Sequence, residues 1–145
     1  MRQSLIMGLM IRAVDFSPDR EGILRPVVYV NPDRNIANQA VSINTSLAKA
    51  LQPIAPKRRA MRMQLILQKI VQELPADSVL CEIDAMFNPQ YRVDVVQTLI
   101  SVCRAVPFSV VWPGTYEDGK LIYAVEGRPD YKTFEIANYD ITCVI

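Results

Sequence analysis

One stretch constrains this chain more than any other: Ser78-Val79-Leu80-Cys81-Glu82-Ile83-Asp84-Ala85-Met86-Phe87-Asn88-Pro89. It is a short apolar run that carries two acids at its end and then breaks at Asn-Pro. A run of this length after a helix-like segment predicts a buried strand at the centre of a parallel sheet. The C-terminal ends of such strands face the functional crevice. Glu82 and Asp84 belong at that end, and alternation along the strand would put both on one face.

The rest of the chain is laid out around this strand. Leu5, Ile6, Leu9, Met10 and Ala13 are spaced as the apolar stripe of a helix over 4–15. Val27-Val28-Tyr29-Val30 is β-branched and predicts the first strand. Asn31-Pro32-Asp33 breaks it. Arg34 to Ala40 holds a turn or two of helix. Val41-Ser42-Ile43 is a weak strand, and Leu47 to Leu51 a short helix capped by Asn44, Thr45 or Ser46 and stopped by Pro53 and Pro56. From Arg59 to Leu74, Met63, Ile66, Leu67, Ile70, Val71 and Leu74 give the most regular helical stripe. A helix over Val93 to Arg104 and a strand over Phe108 to Trp112 follow. The tail changes character: Tyr116 to Lys120 has turn chemistry between strands, and Leu121–Val125, Tyr131–Ile136 and Ile141–Ile145 are β-rich. Helices alternating with strands predict a mostly parallel sheet flanked by helices, with a β-rich C-terminal end. The final apolar strand is expected to be buried, with an exposed pairing edge as the alternative.

Length and composition close several alternatives. A chain of 145 residues with 50% hydrophobic residues predicts a single domain, 1–145, with a substantial core. The net charge of +1 favours no class of partner, so only a local patch could. No apolar run reaches the roughly 18 residues needed to span a membrane. The start lacks a small-residue cleavage site, so no secretory signal is expected. Three scattered cysteines, Cys81, Cys103 and Cys143, read as buried hydrophobes in a reducing cytoplasm rather than a disulfide framework. The chain has no histidine, which excludes Ser-His and Cys-His nucleophile pairs and histidine metal sites.

Four segments in order carry a resemblance. They are Lys57-Arg58-Arg59-Ala60-Met61-Arg62, Glu82 to Pro89, Trp112-Pro113-Gly114 with Glu117 to Ala124, and Gly127-Arg128-Pro129-Asp130-Tyr131. Together they resemble the BrxF family, small P-loop proteins of bacterial BREX anti-phage systems, over roughly Val41 to the C-terminus. The resemblance implies a P-loop-NTPase-like sheet, a nucleotide, and other defence-system proteins as partners. The residues depart from it where the chemistry would be. A phosphate loop needs glycines, a lysine and a Ser/Thr after the first strand. None of the five glycines lies between Val27 and Ser78. The segment after Val30 reads Asn31-Pro32-Asp33-Arg34-Asn35, without lysine and with an acid. Cys81 stands where the family would place its magnesium aspartate.

The sequence therefore predicts a P-loop-like domain without a phosphate loop, a pseudo-ATPase rather than an enzyme, with no cofactor. Its role would be that of an adaptor in a cytoplasmic defence complex, with a homo-oligomer possible. The basic stripe Lys57, Arg58, Arg59, Arg62 and Lys69 has no acid between Pro56 and Gln72. It is the candidate contact for a partner protein or for the DNA phosphate backbone, against a merely solvated helix face. Trp112 and Tyr116 are a candidate partner contact, against rim packing. Enzymatic alternatives are a nucleotide hydrolase completed by a partner, or a Mg²⁺-dependent nuclease using Glu82 and Asp84 with Asp33 or Asp94 as a third acid. A capping or ion-paired role competes with that reading. A structural protein of a phage or plasmid is the third possibility.

Overall fold

The computed structural model describes residues 8–13, 16 and 25–145. Six parallel strands form the main sheet in the order β1 (Leu9–Ile11), β9 (Thr142–Val144), β2 (Val27–Tyr29), β5 (Ser109–Val111), β4 (Val79–Cys81) and β3 (Val41–Ser42). The register places Cys143, Val28, Val110 and Leu80 in one row across four strands. All four are fully buried. Burial on both faces is why these strands read as unbroken apolar runs rather than alternating ones.

The helices follow from the handedness of the crossovers. From β3 to β4 to β5 the chain steps one way along the sheet, through α2 (Asn44–Leu51), α3 (Pro56–Gln72) and α4 (Val95–Ala105). Leu47, Met63, Leu67, Val96 and Leu99 from these helices pack on the face of Val28, Leu80 and Val110. From β2 to β3 the chain steps the other way, through α1 (Arg34–Gln39). A right-handed crossover must then lie on the opposite face. Ile36 and Ala40 indeed pack against Val27, Tyr29, Val79 and Val144. The connections that leave the adjacent strands β2 and β5 therefore lie on opposite faces, which makes the C-terminal ends of these two strands the switch point of the sheet.

A second, antiparallel sheet joins β6 (Thr115–Glu117), β7 (Lys120–Tyr123) and β8 (Lys132–Glu135). Asp118 and Gly119 both adopt positive φ, 48° and 78°. That is the two-residue Asp-Gly hairpin geometry whose twist matches the flanking strands. The crossover from β5 to β9 contains this sheet and lies on the α2–α4 face, where Leu121, Phe134 and Ile136 are buried.

Four expectations need correction. Leu9–Ile11 is a strand beside β9, not part of a helix over 4–15. Three adjacent apolar residues fit an edge strand of a parallel sheet as well as a helix stripe, and pairing with Thr142 to Val144 decides it. Residues 4–7 lie outside the described residues. Pro56 does not stop a helix; it begins α3 at its first turn, where its missing N–H costs nothing. The helix therefore begins ahead of Arg59, and Lys57 and Arg58 are helical. Finally, β4 is interior but not central, because β2 and β5 occupy the middle of the sheet.

Candidate functional site

The crevice at the switch point is where an open α/β sheet ordinarily takes its ligand. Here the protein itself occupies its β5 side. Trp112 follows β5, is only 3% exposed, and donates its indole N–H to Ile122 O on β7 at 3.0 Å. Gly114 lies so close to Ile122 O that a Cβ there would collide with it. Trp112 meets Phe87 and Phe134 edge to face, with centroids 5.5 and 5.7 Å apart. Phe87 in turn stacks on Tyr123 at 3.8 Å. These contacts seat the antiparallel sheet on the C-terminal ends of β4 and β5. Trp112 is thus a core residue and not an exposed partner contact. Tyr116 is half-buried, with its hydroxyl 3.1 Å from Met10 Sδ.

The loop after β2 is spent on its own helix. Asp33 caps α1, its carboxylate accepting the Ile36 N–H at 2.9 Å. An acid occupies the place where phosphate would need positive potential.

Glu82 and Asp84 do not share a strand face. β4 ends at Cys81, Glu82 takes a left-handed φ of 56°, and Asp84 opens a 3₁₀ turn over Asp84–Phe87. The turn arises because Ile83, Met86 and Phe87 are all drawn into the core. Asp84 Oδ2 accepts the Tyr123 hydroxyl at 3.0 Å. The third acids are also engaged, Asp33 as above and Asp94 at the N-terminus of α4. Asp94 accepts Gln97 N–H at 3.1 Å and the Tyr139 hydroxyl at 2.9 Å. Among the described residues no three Cys, Asp or Glu side chains cluster as a metal-ion ligand set. Burial, and then the Glu82 charge, raise the Cys81 thiol pKa, which makes it a poor nucleophile.

The basic residues are better placed. Residues 34–72 hold seven Lys/Arg and not one Asp/Glu, whereas residues 73–145 hold eleven acids and five bases. Six of the seven bases lie on α2 and α3, which form one lobe beside β3; Arg34 lies on α1, across the sheet. Met63, Leu67 and Val71 bury one side of α3, leaving Lys57, Arg58, Arg62 and Lys69 exposed. Among the described residues none of these four makes an ion pair. Lys57 and Arg58 stand in the first turn, against the helix dipole, and Arg58 repels Arg62 one turn on. Arg59 is different. It donates to Ile54 O at 2.9 Å, Tyr91 Oη at 3.1 Å and Gln52 O at 3.5 Å. It ties the end of α2 to the loop before α4 and so leaves the free stripe. Lys49 on α2 joins the lobe. Single-helix spacing could not reveal it, although the acid-free span from 34 to 72 marks it.

Comparison with protein-family models, curated proteins and solved structures finds no match. Among the described residues no helix is long and apolar enough to cross a membrane.

Proposed function

We propose that this chain is a non-catalytic, cytoplasmic adaptor subunit of a bacterial anti-phage defence complex. It is a P-loop-like sheet without a phosphate loop, and its basic α2–α3 lobe holds an anionic partner. The observation that carries this reading is the 2.9 Å bond from Ile36 N–H to the Asp33 carboxylate. The first turn after β2, where a phosphate would sit, is already capped by the protein's own anion. The aromatic seal over β4 and β5 supports the same reading. The defence assignment rests on the ordered short motifs that resemble BrxF.

A lobe of unpaired like charges is strained by self-repulsion, and an anionic surface would relieve it. DNA backbone and acidic protein both qualify. Met61 and Leu65 stand 82% and 64% exposed among the bases of α3. Apolar and Met/Arg-rich surface is characteristic of protein interfaces, so the protein partner is preferred.

The test is co-purification from the native host with Arg58, Arg62 and Lys69 all changed to Gln. The variant should keep its melting temperature and lose its partners. Should the partners be retained, and duplex DNA bind neither form, the lobe is a solvated surface and the proposal fails.

A further inference from the structure

The basic lobe has a concave side. Edge strand β3, α2 and α3 bound a groove of about 770 Å³. Its floor includes the half-buried Ile66 and Ile70, and its rims carry Lys49 from α2 and Lys69 from α3. Ser42 and Ser46 lie at the β3 end, and Glu73 lines it at the C-terminal end of α3. Ile66, Lys69, Ile70 and Glu73 recur at three- and four-residue spacing, so they form one side of the helix. Arg62 continues that side one turn before Ile66.

We infer that this groove docks an acidic amphipathic helix of a partner protein; the inference rests on the proposed anion-binding role of the lobe and names its ligand. An apolar floor between two lysines matches a helix with apolar residues at i, i+4 and i+7 and carboxylates on both flanks. Duplex DNA offers phosphates but nothing for Ile66 and Ile70. Charge complementarity also sets a direction. Lys49, Arg62 and Lys69 attract acids along most of the groove, while Glu73 repels them at one end. The docked helix should therefore carry its acids away from Glu73.

The probe is a display library of helical peptides of roughly 16 residues, long enough to hold a helix, selected against the full chain. Enriched sequences should show the apolar i, i+4, i+7 pattern with Asp/Glu flanks. Their affinity should fall about tenfold or more in Lys49→Glu/Lys69→Glu. It should fall less in Lys57→Gln/Arg58→Gln, which alters the first turn of α3, outside the groove lining. Both variants change exposed residues and should melt with the parent protein.

Several outcomes overturn the inference. Enriched peptides that respond to the Lys57/Arg58 variant alone place the site at the start of α3, outside the groove, and leave the anionic-partner reading standing. An empty selection with salt-dependent binding of a duplex of roughly 20 base pairs makes the lobe a DNA surface. An empty selection with self-association abolished by Lys49→Glu/Lys69→Glu makes the occupant a second copy. Absence of all three kinds of binding sinks the inference and the proposed function together.

Discussion

The Tyr123 hydroxyl donates to Asp84 Oδ2 at 3.0 Å while its ring lies flat on Phe87, 3.8 Å between centroids. One side chain thus fastens the antiparallel sheet to the turn after β4. Tyr123→Phe keeps the stacking and removes the bond, so it should destabilise the fold by about 1 kcal/mol. Urea denaturation measures this. A midpoint equal to that of the parent would mean that the bond contributes nothing.

Alkaline pH should weaken the fold through the same contacts. Burial first, then hydrogen bonds to Asp84 and Asp94, raise Tyr123 and Tyr139 from 10.0 to about 12. Burial also raises Cys143 from 9.0 to about 12. In the unfolded chain these groups lose their protons first, so the folded state binds more protons between the two values. Stability is then full below the unfolded values and falls as pH rises toward about 12. Tyr123→Phe with Tyr139→Phe should flatten the decline above pH 10, leaving the cysteine's share. Denaturation at successive pH values reads it directly, and an undiminished slope in the double variant would contradict the assignment.

Arg59 separates structure from surface within one basic run. Arg59→Gln leaves the Ile54 carbonyl and Tyr91 hydroxyl without their charged donor, and should cost about 1–3 kcal/mol. Arg58→Gln and Arg62→Gln touch no bonded partner and should stay within about 0.5 kcal/mol of the parent. Equal losses at all three positions in chemical denaturation would show that Arg59 has no special role.

These contrasts show what the sequence could carry. Stripes such as Met63, Leu67 and Val71, and runs such as Val27 to Tyr29, name their elements because burial on a regular period leaves a pattern. Leu9 to Ile11 did not, since three apolar residues fit a helix or a strand until β9 supplies a partner. Glu82 and Asp84 misled for a related reason. The alternation argument holds only while the strand continues, and β4 stops one residue earlier because Ile83 and Phe87 turn inward. Arg59 looks like its neighbours in sequence. Its role depends on Gln52, Ile54 and Tyr91, which only the packing of α2 and the loop before α4 brings within reach. The groove beside β3 is likewise a product of two helices and an edge strand, and no single segment encodes it.

The C-terminal strand should be indispensable. β9 lies between β1 and β2, pairs with both, and buries Ile141 and Cys143 completely. Removing residues 139–145 splits the sheet and should abolish cooperative thermal unfolding. A truncated chain that still melts cooperatively by circular dichroism would mean that the strand is an accessory and its edge an interface.

The turn after β2 should hold no nucleotide, because the Asp33 carboxylate already caps the helix there. Calorimetric titration of the isolated chain with ATP and Mg²⁺ tests this most directly. No saturable heat is expected up to about 1 mM nucleotide. Saturable binding in the micromolar range, lost when residues of that turn are changed, would contradict it.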